Sequence, residues 1–127
     1  MNLLLDTHIV LWFFGDPEKL SEAALTAILD PSNEKNISIV SAWELAIKIS
    51  LRKLNFEGGV ANFFSMIEEN GFILLPIKEN HIKQLETLPF FHNDPFDRLL
   101  ISTAIIEGMI LISADANIKR YKVPVLL

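Results

Sequence analysis

Four acidic residues that are distant in the sequence stand at positions where a metal site can assemble. Asp6 follows the first predicted strand directly, Glu44 lies one helical turn beyond the second, and Asp115 follows the fourth by two residues. Because the carboxyl ends of parallel strands share one sheet edge, these three acids are predicted to lie together. Asp97 belongs instead to the first turn of a predicted helix, so its place depends on the loop before that helix.

Converging carboxylates indicate a particular kind of chemistry. Several like charges at one edge repel each other unless a cation lies between them. The chain has no cysteine, so any metal must be held by oxygen or imidazole. Hard oxygen ligands suit Mg²⁺ or Mn²⁺, which complete their coordination with water and phosphate oxygens. A phosphodiester cleaved by metal-activated water is therefore the predicted reaction.

Each acid also has a structural explanation when it is taken alone. Ser41 and Glu44 match the capping-box spacing, and Asp94 and Asp97 stand at the N-cap and third position of a helix. A cap stabilises a helix by about 1 kcal/mol, but it need not be a carboxylate. The joint pattern therefore favours a metal site. Asp94 is an additional nearby acid, and the sequence leaves open whether it shares or replaces the role of Asp97.

Other polar side chains carry weaker signals. The three histidines, His8, His81 and His92, are scattered and are assigned no role, because a catalytic or ligating histidine needs positioned partners that spacing does not reveal. Lys48 and Arg52 follow Glu44 at one-turn intervals. They suit either contact with a phosphate backbone or an ordinary solvated helix face.

Short apolar segments alternate with helical patterns along the chain. The predicted strands are 2–5, 37–40, 72–75, 109–113 and, weakened by a proline, 123–126. The predicted helices are 7–14, 17–30, one opening at Ser41, 60–69, 79–88 and 95–107, with a polar loop over 32–36. Strands without polar alternation are typical of burial on both faces, and intervening helices favour parallel crossovers. We expect a three-layer α/β/α sandwich around a mainly parallel sheet.

Composition sets further bounds. A chain of 127 residues, half of them hydrophobic, is expected to form one domain over 1–127. No apolar run reaches the roughly 20 residues of a membrane span, and no signal-peptide pattern opens the chain, so we expect a cytoplasmic protein. The net charge of −5 argues against a general nucleic-acid coat protein. It does not argue against a nuclease, since a bound cation supplies the phosphate-binding charge.

Four segments together resemble the PIN domains, and particularly the VapC-type toxins of bacterial toxin–antitoxin systems. The resemblance covers essentially the whole chain. Residues 3–8 resemble the first PIN strand with its aspartate, and residues 41–48 resemble the segment with the family's glutamate. Residues 92–101 resemble the signature of one toxin subgroup, and residues 112–115 resemble the last acidic motif.

This resemblance implies an Mg²⁺- or Mn²⁺-dependent endoribonuclease that is neutralised by a cognate antitoxin and is usually homodimeric. By position in the motifs, the family's acidic quartet falls on Asp6, Glu44, Asp97 and Asp115, with supporting polar side chains at Thr7 and Ser113. It also makes the apolar first helix a plausible contact for a second copy or for the antitoxin.

Two other function classes remain as alternatives. A magnesium-dependent phosphotransfer domain or phosphatase would also carry aspartates at strand ends. A receiver would end a central strand in an aspartate, which Leu74-Leu75-Pro76 does not supply, and a haloacid-dehalogenase-type phosphatase would carry an aspartate where His8 stands. The other alternative is a catalytically silent binding module on the same scaffold, which only an activity measurement separates from an enzyme.

Overall fold

Five short strands form the core of the protein. The computed structural model describes residues 1–127, and its strands are β1 (Asn2–Leu5), β2 (Glu34–Ser38), β3 (Ile73–Leu75), β4 (Ile110–Ile112) and β5 (Val125–Leu126). They form one sheet in the order β3-β2-β1-β4-β5, and every pair is parallel. The predicted fifth strand is present, although it is only two residues long.

Six α-helices cover the two faces of the sheet. They are α1 (Thr7–Gly15), α2 (Glu22–Leu29), α3 (Ile39–Ser50), α4 (Gly59–Glu69), α5 (Glu79–Glu86) and α6 (Pro95–Glu107), with 3₁₀ turns at Pro17–Lys19 and Ala116–Arg120. None of the six combines the length and apolar character needed to span a bilayer.

The residues of β1 divide the core into two halves. Leu3 and Leu5 are fully buried in a cluster with residues of the first four helices, whereas Leu4 is buried in a second cluster with residues of α6. This division follows from the strand period, because successive side chains point to opposite faces. Burying each leucine contributes about 1.5–3 kcal/mol. The predicted three-layer sandwich is thus confirmed.

The sheet reverses its direction of growth at β1, and this places the functional edge. From β1 the chain proceeds to β2 and β3 on one side, then returns to β4 and β5 on the other. Leu5 is in register with Ile112, and the N–H of Asp6 donates to the carbonyl of Ile112 at 3.0 Å. The chain segments that follow β1 and β4 therefore leave the sheet side by side and then separate. In α/β proteins, the crevice at such a point is where ligands bind.

The second helix begins later than predicted. A single helix was expected from Pro17, but a 3₁₀ turn occupies Pro17–Lys19 and Leu20 is extended. The hydroxyl of Ser21 then accepts a hydrogen bond from the Ala24 N–H at 3.0 Å, so that α2 begins at Glu22. A serine cap starts the helix, because its side chain satisfies an N–H that has no partner inside the first turn.

The second strand and third helix are both shifted from their predicted places. The last three residues of the predicted loop 32–36 belong to β2. The strand pairs with β1 from Glu34 to Ile37, and the Asn36 amide donates to the Leu3 carbonyl at 3.0 Å. Ser38 caps α3 through the Val40 N–H, so the helix begins at Ile39 and not at Ser41. The capping-box explanation of Glu44 is therefore wrong.

Candidate functional site

The carboxylate of Asp6 is buried at the end of β1. Its Oδ1 accepts from the N–H of Ile9 at 2.9 Å and caps α1, and only 4% of the residue is exposed. Burial raises the pKa of Asp6, while the hydroxyl of Ser113 and the N–H of Ile9 oppose that rise by hydrogen bonding. The cost of keeping this group charged is what a bound cation would offset.

Asp94 and Asp97 stand at the start of α6. Asp94 is the N-cap, since its Oδ1 accepts from the N–H groups of Phe96 and Asp97 at 2.9 and 3.0 Å. Asp97 makes no cap, and its side chain is only 20% exposed. Burial, followed by the negative charges of Asp94 and Asp6, raises the pKa of Asp97 to about 6. The loop before α6 therefore brings Asp97 to the same edge as Asp6.

Ser113 lies between the ends of β1 and β4. Its hydroxyl accepts from the N–H of Asp115 at 3.0 Å and lies close enough to Asp6 to lower the pKa of that carboxyl. Asp115 in turn caps the following 3₁₀ turn, because its Oδ1 accepts from the Asn117 N–H at 2.9 Å. Ser113 is fully buried, so this contact with Asp115 is shielded from solvent.

The aspartates line one cleft. Its volume is about 360 Å³, and its lining consists of Asp6, His8, Trp12, Asp94, Asp97, Ala114 and Asp115. Oxygen atoms of Asp97 and Asp115 also lie within 4.8 Å of each other and of a ring nitrogen of His92. Four acids from three separate parts of the chain therefore meet at the predicted sheet edge.

Glu44 is buried and does not line this cleft. The residue is 3% exposed, and its Oε2 accepts from the ammonium of Lys48 at 2.7 Å. Its negative charge is nevertheless a minor contributor to the raised pKa of both Asp6 and Asp97. The structure thus places Glu44 near the acidic cluster, with part of its charge offset by Lys48.

Thr7 supports the site indirectly. Its Oγ1 donates to Ser41 Oγ at 2.9 Å, and both hydroxyls are buried. The bond joins the start of α1 to the first turn of α3, the helix that also carries Glu44. The contact made by Thr7 is therefore between helices and not to a carboxylate.

His92 is a site residue that sequence reasoning missed. Its Nδ1 lies 2.8 Å from the hydroxyl of Tyr121, and its Nε2 lies 3.4 Å from Oδ2 of Asp97. Tyr121 is 29 residues away in sequence, so no local spacing signals the pair. The only available signal was the position of His92 at the beginning of the segment that contains Asp97.

The cluster fits a hard divalent cation. The caps formed by Asp6, Asp94 and Asp115 all use Oδ1, so capping does not require Oδ2. Burial first, and neighbouring carboxylates second, raise the pKa of both Asp6 and Asp97, and a bound cation would offset both effects. Carboxylate oxygens without sulfur suit Mg²⁺ and Mn²⁺. Helix capping and metal binding are therefore compatible roles for the same side chains.

Comparison with known proteins agrees with this geometry. A family model described as PIN domain matches residues 3–124. Ribonuclease VapC22 of Mycobacterium tuberculosis (strain ATCC 25618 / H37Rv) is 28% identical over 124 residues, which cover 97% of this chain and 94% of that protein.

Solved structures share the fold at lower identity. The crystal structure of VapBC2 from Rickettsia felis, bound to a DNA fragment from its promoter, superposes with a TM-score of 0.77 at 16% identity and covers 99% of this chain and 98% of that one. VapBC-1 from nontypeable Haemophilus influenzae gives 0.69 at 17% identity, with 99% and 97% covered. At these identities the likeness concerns the fold.

Proposed function

Because the chain belongs to the PIN-domain family, we propose that it is a metal-dependent endoribonuclease that hydrolyses RNA phosphodiester bonds, the toxin of a type II toxin–antitoxin pair. The observation that carries the proposal is the meeting of Asp6, Asp97 and Asp115 at one cleft. The ribonuclease name of the relative that is 28% identical supports RNA as the substrate class. With the family established, the phosphotransfer and phosphatase alternatives are set aside.

The acidic side chains of the cleft are the proposed ligands of a divalent ion. We assign Mg²⁺ or Mn²⁺ to Asp6, Asp97 and Asp115, with Asp94 beside them and Glu44 as the fourth member of the quartet. The ion would polarise a phosphoryl oxygen and lower the pKa of a bound water. No side chain is then needed as the nucleophile.

The protein's own contribution is to keep these carboxylates in place. Ser113 and the N–H of Ile9 orient Asp6, and the 3₁₀ turn after Asp115 fixes the direction of that side chain. Thr7 holds the start of α1, next to Asp6, against the first turn of α3, the helix that carries Glu44. Fixed ligands lose little freedom when the ion and substrate bind, which favours tight binding.

The decisive experiment is cleavage of a structured RNA by purified protein in Mg²⁺ or EDTA. We expect cleavage only with Mg²⁺. Asp6→Asn should slow it by about 100-fold or more, since electrostatic stabilisation by the ion is worth several kcal/mol and each 1.36 kcal/mol is tenfold in rate. Glu79→Gln is the matched control, because it removes one negative charge from a side chain that is 83% exposed.

Two outcomes would count against the proposal. RNA breakdown that survives both EDTA and Asp6→Asn would refute the mechanism. A folded protein that binds Mn²⁺ and cleaves no RNA would instead favour the silent binding module.

We also propose a cognate antitoxin, a homodimeric state and a cytoplasmic location where RNA is accessible. A toxin–antitoxin complex from Klebsiella pneumoniae shares the fold with a TM-score of 0.66 at 16% identity, which supports an antitoxin partner. The apolar α1 contributes Leu11, Trp12 and Phe14 to a second cleft of about 490 Å³ beside α4. Light scattering tests the dimer, since a mass equal to one chain of 14.4 kDa would contradict it.

A further inference from the structure

The hydroxyl oxygen of Tyr121 receives an unusual number of hydrogen bonds. The backbone N–H groups of Phe91 and His92 each donate to it at 3.2 Å, and Nη1 of Arg98 donates at 3.1 Å. Tyr121 is 3% exposed, so solvent does not compete. Three donors already share the two acceptor lone pairs of the phenolic oxygen. A fourth donor would have no lone pair of its own and is therefore disfavoured.

This count fixes the direction of the hydrogen bond between Tyr121 and His92. The tyrosine proton needs an acceptor, and Nδ1 of His92 lies 2.8 Å away, whereas the His92 carbonyl is at 3.4 Å. Nδ1 is thus the acceptor, and the proton of the neutral ring is on Nε2. The Nε2–H lies 3.4 Å from Oδ2 of Asp97 and donates toward it.

Arg98 keeps this arrangement from relaxing. The residue is 4% exposed, and its guanidinium donates to the carbonyls of Pro89 and Leu88 at 2.7 and 3.0 Å. Its face also lies 3.8 Å from the ring centre of Phe90. A guanidinium held at four places cannot turn away from Tyr121 without breaking buried hydrogen bonds, which is costly.

We propose that His92 is a positioning residue for the metal site, a neutral Nε2–H donor that orients Asp97, and that it is not itself a metal ligand. Its ring nitrogen lies within 4.8 Å of oxygen atoms of Asp97 and Asp115, so distance alone allows ligation. Ligation through Nε2 would require the proton to move to Nδ1, and Nδ1–H would then be the fourth donor to Tyr121. The role given to His92 rests on the proposed metal-dependent function, whereas its tautomer does not.

The tautomer can be measured directly in the metal-free protein. Long-range ¹H–¹⁵N spectra of histidine rings distinguish the Nε2–H form from the Nδ1–H form. His81 is an internal control, because its Nδ1 accepts from the Lys78 N–H at 3.0 Å and its Nε2 lies 2.7 Å from Glu107. We expect the Nε2–H pattern for both His81 and His92.

Adding Mg²⁺ and removing the tyrosine hydroxyl complete this test. The His92 pattern should keep its Nε2–H form when Mg²⁺ is added, and Tyr121→Phe should convert it to a mixture of tautomers while His81 stays unchanged. An Nδ1–H or doubly protonated His92 in the metal-free protein, or loss of the Nε2 proton on adding Mg²⁺, would overturn the inference. RNA that remains uncut alongside the expected spectra would instead remove the proposed function and leave the tautomer standing.

Two substitutions test whether the N–H donor of His92 increases the affinity for the metal ion. His92→Gln retains an amide N–H near the place of Nε2, whereas His92→Leu retains bulk without a donor. Loss of an outer hydrogen-bond partner costs about 10–100-fold in metal affinity, so His92→Leu should raise the Mg²⁺ concentration for half-maximal cleavage by that factor. His92→Gln should recover most of the loss. Equal effects of both variants would contradict the role of the donor.

Discussion

Asp97→Asn should stabilise the metal-free protein. The substitution removes one negative charge from the acidic cluster and keeps the shape of the side chain. Its amide oxygen can still accept the hydrogen bond from His92, and the cap of α6 is made by Asp94, so no helix terminus is disturbed. The variant thus isolates the cost of holding the Asp97 charge beside Asp94 and Asp6.

The size and sign of the effect follow from the pKa. Burial and the two neighbouring carboxylates raise the pKa of Asp97 from 3.8 to about 6. A change of one in pKa is worth about 1.36 kcal/mol, so this rise corresponds to about 3 kcal/mol. Solvent screening of the partly exposed side chain reduces that cost to about 1–2 kcal/mol. Because the pKa of Asp97 is higher in the folded protein than in the unfolded chain, the native protein becomes less stable by this amount as the pH rises from 3.8 through about 6.

Thermal unfolding in EDTA at pH 8 and pH 4 measures the effect. We expect the melting temperature of Asp97→Asn to exceed that of the native protein by about 3–8 °C at pH 8, with most of the difference gone at pH 4. Adding Mg²⁺ should stabilise the native protein more than the variant, since only the native cluster keeps its full ligand set. Glu79→Gln should show neither change. A variant that melts below the native protein in EDTA at pH 8 would refute the reasoning.

Three further substitutions have distinct expected outcomes. Asp94→Ser keeps a cap for α6 without a carboxylate, so the free energy of unfolding in urea should change by less than about 1 kcal/mol while RNA cleavage falls. Cleavage that is lost in Asp94→Ala but kept in Asp94→Ser would show that Asp94 acts only as a helix cap. The hydrogen bond from His81 lowers the pKa of Glu107. The charged form of Glu107 therefore stabilises the folded protein at neutral pH, and this contribution is lost as the pH falls through the lowered pKa. Urea unfolding of Glu107→Gln should therefore depend less on pH in the acid range, and an unchanged pH dependence would contradict this. Leu4→Ala should lower the free energy of unfolding by about 2–5 kcal/mol, because Leu4 is fully buried; a loss below about 1 kcal/mol would show that its cluster collapses around the gap.

The sequence predicted β1 and β4 well because both are short, mostly apolar segments, followed directly by Asp6 in one case and three residues later by Asp115 in the other. Parallel topology then brings strand ends together, which is why Asp6 and Asp115 were expected at one edge and are found there. Asp97 was less certain, because no periodicity describes the loop that precedes its helix. Glu44 was expected at the same edge; it does not line the cleft and contacts Lys48, yet its charge raises the pKa of both Asp6 and Asp97.

Local signals failed where a tertiary contact decides the outcome. Ser38 and Ser41 are both acceptable helix caps, and the β-branched Ile39 and Val40 favour a strand by their own propensity. Pairing of Glu34–Ser38 with β1 ends the strand earlier and leaves Ser38 as the cap. The pairing of His92 with Tyr121 has the same origin, because 29 residues separate two side chains that packing brings to 2.8 Å.

Crystals soaked in Mn²⁺ and measured for anomalous scattering show directly whether the cleft binds a metal ion. We expect a manganese peak in the cleft, about 2.0–2.3 Å from carboxylate oxygens of Asp6, Asp97 and Asp115. The same soak of Asp97→Asn crystals should give a weaker peak or none. A native crystal saturated with Mn²⁺ that shows no peak among these three side chains would contradict the assignment of the metal site.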